Sequence, residues 1–360
     1  MSDGLRLAVK DLLDTEGLVT TYGSAIFVDH VPTRTAESVR RLGAAGYVNV
    51  GKTNLHEFAY GITSENPHFG TVPNPVAPGR IAGGSSGGSA AALAADLVDG
   101  ALGTDSGGSI RIPAACCGIV GFKPTYGLVS LDGCFPLATS FDHVGPMART
   151  VERCEEMLGA LDPSYERIDE PPQPRVASAW IRKADPLVAA CVNNAAGLLG
   201  AEPIEFPFPS DTYASFMREV ADVHRELYAD HADLYGDDVA AKIERCLDIS
   251  EAEARGAESS RDAYRTKAAG ALADFDLLVT PTVAMVAPEV GVGDAALRER
   301  MIRFTYPFNA LGWPALALPC GSAEDGLPAS IQLVGKPGQD ALVLAAGRRL
   351  ASLVRVTPGE

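Results

Sequence analysis

The chain has 360 residues, 46% hydrophobic and 21% charged, which is more than one small core needs and predicts one large α/β domain or two domains. Thirty Lys+Arg against 46 Asp+Glu leave a net charge of −16 with no Lys/Arg-rich run, which argues against a nucleic-acid partner held by phosphate neutralisation. The start lacks the apolar core of a signal peptide, and no uncharged apolar window reaches about 18 residues, so no membrane span is expected.

Leu5–Lys10 (LRLAVK) alternates with period two and predicts a short strand. Thr35-Ala-Glu-Ser opens a helix that ends near Gly46, and 47–50 (YVNV) is β-branched and strand-like. Residues 54–60 predict a short helix, and 61–84, rich in Pro, Gly, Asn and Ser, a loop. The run SAAALAADLV at 89–98 is apolar nearly all round and predicts a buried helix. A second glycine-rich turn at 103–109 precedes a short helix and a strand at 119–122. The stretch 162–174 (DPSYERIDEPPQP) is polar and proline-rich and reads as a linker. Beyond it, 175–181 is strand-like and 185–275 is largely helical and acidic. Strands follow at 276–280, 315–318 and 329–334, and a helix at 341–353 closes the chain. The pattern is α/β: a core over 5–160, a helical insertion over about 175–275, and core strands and a helix over 276–353.

Two motif matches carry little weight. Gly46-Tyr-Val-Asn-Val-Gly-Lys-Thr53 fits the P-loop pattern, but a helix precedes it and YVNV favours a strand where a phosphate-binding loop is needed. Gly84-Ser-Ser-Gly-Gly88 contains the nucleophile-elbow pattern, which requires an acid and then a late histidine; no histidine follows His231. The seven cysteines (Cys116, Cys117, Cys134, Cys154, Cys191, Cys246, Cys320) are scattered and lack CxxC spacing. They read as free thiols of a cytoplasmic protein, with a metal site or vicinal disulfide at Cys116-Cys117 the weaker reading.

Both Gly/Ser turns stand where helices start, and unpaired N–H groups there favour negative charge such as the oxyanion of acyl transfer. A serine nucleophile in such a turn needs a base, and without a histidine a lysine serves only if its amine is neutral. In the details of these turns the chain resembles the amidase signature family. The resemblance rests on Gly83-Gly-Ser-Ser-Gly-Gly-Ser89 and Gly103-Thr-Asp-Ser-Gly-Gly-Ser-Ile-Arg-Ile-Pro113, with Ala8-Val-Lys-Asp11, Val50-Gly-Lys-Thr-Asn-Leu-His-Glu-Phe58, Gly121-Phe-Lys-Pro-Thr-Tyr-Gly127 and Asn309 in order around them. It covers roughly 5–160 and 275–353.

The resemblance implies one amidase domain over 1–360, with an α/β/α fold built on a large mixed sheet flanked by helices. It implies a Ser–cis-Ser–Lys triad: Ser109 as nucleophile, Ser85 as the relaying serine after a cis peptide, and Lys10 as base. Backbone N–H groups of Ser106, Gly107, Gly108 and Ser109 would form the oxyanion hole, Ser86 would order its loop, and Asp105 and Arg111 would brace the turns. Lys52 also sits in a motif, with a structural role. A lysine of ordinary pKa about 10.4 must approach about 7–8 to act as a base, and Leu5, Leu7 and Val9 are candidates for its apolar surroundings. The implied activity is metal-free and cofactor-free hydrolysis of a small-molecule amide through a seryl acyl-enzyme. The A component of an amidotransferase, working with partner subunits on aminoacyl-tRNA, is the nearest alternative, and a catalytically silent binding protein the next. Relatives commonly carry several helices before the lysine, whereas nine residues precede Lys10, and the helical middle is shorter. Those regions wall the acyl pocket or form homodimers in relatives.

Overall fold

A computed structural model describes residues 4–169 and 173–356; of the expected linker, 170–172 lie outside the described residues, as do 1–3 and 357–360. The first half supplies β1 (Leu5–Lys10), α1 (Glu37–Ala44), β2 (Tyr47–Thr53), the short pair β3 (Glu65–Asn66) and β4 (Gly70–Thr71), α2 (Gly87–Ala94), β5 (Gly100–Thr104), α3 (Arg111–Cys117), β6 (Val120–Lys123), β7 (Val144–Ala148) and α4 (Val151–Leu161). The second half begins with β8 (Val176–Ser178), α5 (Pro186–Leu198) and β9 (Glu202–Pro203). Then come α6 (Tyr213–His231), α7 (Asp237–Leu247), α8 (Glu251–Ala271), β10 (Leu277–Pro281), α9 (Asp294–Ile302), α10 (Tyr306–Leu311), β11 (Ala315–Ser322), β12 (Pro328–Gly335) and α11 (Asp340–Val356).

Ten strands form one mixed sheet in the order β2-β1-β5-β7-β6-β11-β12-β10-β8-β9. The pairs β2–β1–β5 and β10–β8–β9 at its two ends are parallel, and every pairing between β5 and β10 is antiparallel. Because β6 pairs with β11, strands from before and after the proline-rich stretch share one sheet. Period-two alternation assigns its two faces. Leu7, Val9, Leu102, Leu316 and Leu318 pack with side chains of α1, α4, α5 and α11. Their neighbours Ala8, Ala101 and Ala317 face the other way, onto the small side chains of α2 and α3. Farther along that second face Leu278 and Val334 meet an aromatic-rich layer from α6, α7, α8 and α10. This is the expected α/β/α arrangement.

Several elements differ from their sequence reading, each for a local reason. Strand β2 runs on to Thr53, so Gly51 and Lys52 lie in the sheet and no phosphate loop forms there. Over 54–60 only one 3-10 turn forms, because Phe58 and Ala59 take φ of 50° and 58°, a left-handed backbone no α-helix contains. Helix α2 stops at Ala94, short of Val98, with Asp96 at φ 57°. The strand β5 (GALGT) has no counterpart in the sequence reading, which takes its last two residues as the start of the glycine-rich turn. No helix among the described residues is long and apolar enough to cross a membrane. All seven cysteines are free, so Cys116 and Cys117 form no vicinal disulfide.

Candidate active site

The alternation that puts Leu7 and Val9 on one face of β1 sends Lys10 to the other, beneath α2 and α3. The apolar flank expected from Leu5, Leu7 and Val9 therefore lies behind Lys10, and the layer above it supplies the burial. Lys10 is fully buried, and its Nζ lies 2.7 Å from Ser85 Oγ, 2.9 Å from Ser86 Oγ and 2.7 Å from Thr104 Oγ1. Burial lowers its pKa to about 7, against partial opposition from Cys134, Asp105 and Asp142. Three hydroxyls satisfy an ammonium's three donors, and any of them can turn to donate to a neutral amine. Thr104 was not singled out in the sequence; its place directly before Asp105 on β5 was the available signal.

Ser85 follows a cis peptide from Gly84, as the resemblance implies. Its carbonyl accepts from His56 N–H at 3.3 Å and from Ser64 Oγ at 3.3 Å. A Cβ on Gly87 would stand 2.4 Å from Ser64 Oγ, so this turn needs glycine for close approach. Ser86 Oγ accepts from Thr104 N–H at 3.3 Å and donates to the Thr104 carbonyl at 3.2 Å, which ties its loop to β5. Ser86 N–H also donates to the Ser109 carbonyl at 3.2 Å, so the two glycine-rich turns are joined through the backbone.

The second turn wraps Asp105. Its carboxylate accepts from Gly108 N–H (2.8 Å), Ile110 N–H (3.2 Å), Arg111 Nε (2.9 Å) and Nη2 (2.8 Å), and Asn309 Nδ2 (2.9 Å). Arg111 also reaches the Thr305 carbonyl, Gln332 Oε1 and Asn309 Oδ1. Burial pushes the Asp105 carboxyl up, but the Arg111 charge and hydrogen bonds outweigh it and hold it below the usual range. Asp105 and Arg111 thus tie the second turn to α10 and β12. Gly108, at φ 133°, has its N–H committed to Asp105, so it is not free for an oxyanion; this narrows the expected hole. Among the described residues the N–H groups of Ser106, Gly107 and Ser109 donate to no protein acceptor. Ser106 Oγ donates to Asp142 at 2.6 Å, and burial, partly opposed by that bond, raises the Asp142 pKa to about 6.

Ser106, Gly107 and Ser109 open onto a narrow cleft of about 20 Å³, walled by Tyr60, Ile62, Leu137, Phe216, Ile302 and Tyr306. That volume holds about one water, so the cleft fits a small group. A larger hollow of about 810 Å³ beside Trp180, Phe206 and Phe208 contains none of these residues. Lys52 is tied elsewhere, to the Leu13 carbonyl, Thr20 Oγ1 (2.8 Å) and Asp11 (3.2 Å). His143 contacts Lys123 at 3.2 Å and two carbonyls, and meets none of the serines. Among the described residues one set of metal-ligand type is clustered: His56, Asp238 and Asp294. The Lys242 ammonium already lies 2.6 Å from an oxygen of each acid.

A buried lysine bonded to a serine of one glycine-rich turn thus lies beside a second serine turn rich in free N–H groups, on an α/β/α sheet. The chain belongs to the amidase family, whose model matches residues 3–203 and 208–344. It is 38% identical over 381 residues to AtzE, a component of the 1-carboxybiuret hydrolase of Pseudomonas sp. (strain ADP), covering 96% of this chain and 83% of that one. It is 35% identical over 407 residues to the A component of the glutamyl-tRNA(Gln) amidotransferase of Neisseria gonorrhoeae (strain NCCP11945), again covering 96% and 83%. A crystal structure of an amidase superposes with a TM-score of 0.88 at 36% identity, covering 97% of this chain and 84% of that one.

Proposed function

We propose that the protein hydrolyses a carboxylic amide through a seryl acyl-enzyme, with Ser109 as nucleophile, Ser85 as relay and Lys10 as base. The observation that carries this reading is Lys10: a buried amine with a pKa near 7, 2.7 Å from Ser85 Oγ. The neutral amine takes the Ser85 proton while Ser85 takes that of Ser109, and Ser109 Oγ bonds to the amide carbon. The charge on the carbonyl oxygen is met by N–H groups of Ser106, Gly107 and Ser109. The carbon–nitrogen bond then breaks as the proton returns through Ser85 to the leaving amine. Water repeats the attack on the ester, releasing the carboxylate and restoring Ser109. In this scheme side chains supply the proton transfer and backbone N–H groups the charge stabilisation, with no metal or cofactor called on.

Labelling by a fluorophosphonate probe, mapped by mass spectrometry, is expected at Ser109, and Ser109→Ala is expected to lose both label and turnover. Ser85→Ala is expected to slow turnover by roughly 10²–10⁴, the usual worth of a positioned proton-transfer group. Turnover retained by Ser109→Ala would refute the assignment. The amidotransferase relative favours a second reading, in which the same chemistry releases ammonia from glutamine for partner subunits. Amide hydrolysis by the isolated chain at a rate that added partners do not raise decides for the first reading.

A further inference from the structure

The cleft at Ser109 has one charged side chain among the described residues that line it, Arg298 of α9. Arg298 also lines an outer hollow of about 640 Å³, which shares Tyr213, Ile302 and Tyr306 with the cleft. It therefore stands where the way in meets the reacting centre. Its guanidinium lies over Tyr60 and Tyr213, with centroid distances of 5.3 Å and 5.8 Å. Of the Arg298 side chain 21% remains accessible.

The partners of Arg298 leave much of that fork open. Among the described residues it donates one hydrogen bond, to the Tyr213 hydroxyl, out of five N–H donors. Its nearest carboxylate, Asp294, is 3.7 Å away and is held more closely by others: Lys242 Nζ at 2.6 Å and the Ile62 N–H. A half-buried guanidinium with unfilled donors and apolar surroundings is matched by a planar anion that accepts two parallel bonds. Resting on the amidase reading above, we propose that Arg298 is a specificity residue that binds a carboxylate of the substrate. The substrate class is then a short amide bearing a carboxylate, its size limited by the narrow cleft. A neutral amide would leave the open donors of the guanidinium unfilled, and a site built to pair a group rejects analogues that lack it.

The test separates binding from turnover by using Ser109→Ala protein. Binding of malonamate and succinamate is compared by calorimetry with neutral amides in which two methyl groups replace the carboxylate oxygens. The better carboxylated amide is expected to bind about 10- to 100-fold tighter than its neutral counterpart, the range for charged hydrogen bonds. Arg298→Gln in the same background is expected to bring that ratio close to one. Arg298→Lys, which keeps the charge and loses the fork, should give an intermediate ratio and serves if the Gln variant does not fold. A ratio near one in the parent protein, or a ratio unchanged by either variant, overturns the proposal. Fluorophosphonate labelling of the wild type reads the amidase mechanism separately. Labelled Ser109 with a ratio near one sinks the carboxylate site alone, while an intact ratio without labelling sinks the acyl-enzyme alone.

Discussion

Buried Lys10 and partly buried Lys52 each stand in a sequence motif, and their surroundings assign them opposite work. Lys10 meets only hydroxyls, and its pKa falls to about 7, a bias of about 5 kcal/mol toward the neutral amine at 1.36 kcal/mol per unit. Burial also lowers Lys52, but Asp11 and the carbonyl and hydroxyl it touches favour its charged form. The kcat/KM profile of the wild type is accordingly expected to rise with pH and level off once Lys10 is deprotonated, near pH 7. Lys10→Ala should lose that limb with most of the activity. Lys52→Ala should lower stability, or weaken catalysis, with the inflection kept. Stability carries the same signature with a definite sign. Between about pH 7 and 10.5 the unfolded lysine holds a proton that folded Lys10 has released, so the burial of Lys10 costs stability below that window and the cost is relieved as pH rises through it. A profile lost in Lys52→Ala and kept in Lys10→Ala would exchange the two roles.

At the scale of elements, the site depends on how β5, α3, α10 and β12 are tied together. Arg111 opens α3, and its guanidinium joins Asp105 after β5, Thr305 and Asn309 around the start of α10, and Gln332 of β12. The pair is fully buried, so Arg111→Met would leave the Asp105 charge without its main compensation. The expected loss is about 3–5 kcal/mol, read from denaturant midpoints at constant slope; a loss under about 1 kcal/mol would remove the bracing role. This network also shows what was legible beforehand. Lys10, Ser85 and Asp105 were picked out by the likeness of their runs to a known family, and the strand alternation of LRLAVK was clear enough to place β1. The commitment of the Gly108 N–H was hidden because it depends on where the Asp105 carboxylate turns. Arg298 was hidden because only tertiary packing brings α9 to the cleft beside Ser109. The 54–60 helix failed for the opposite reason: composition permitted it, and two positive φ angles at Phe58 and Ala59 overruled it.

At the scale of the whole molecule, the question is whether the two halves separated by the proline-rich stretch behave as one unit. Their strands lie side by side in a single sheet: those of the first half end at β6, those of the second begin at β11, and β11 bonds to β6 across the division. The layer of α1, α4, α5 and α11 likewise takes helices from both halves and buries them in one continuous apolar cluster. Neither half closes its own sheet edge or core, and breaking the β6–β11 seam exposes apolar surface on both sides. That argues for one cooperative transition, even at a length where separate domains are common. Both tryptophans, Trp180 and Trp313, lie in the second half, so indole fluorescence reports that half while far-ultraviolet circular dichroism reports the helices and strands of both. The two signals are expected to give the same midpoint and slope in denaturant. Fluorescence that falls at a distinctly lower or higher denaturant concentration than the dichroism would mean that the halves unfold separately, and that residues 162–174 join two domains.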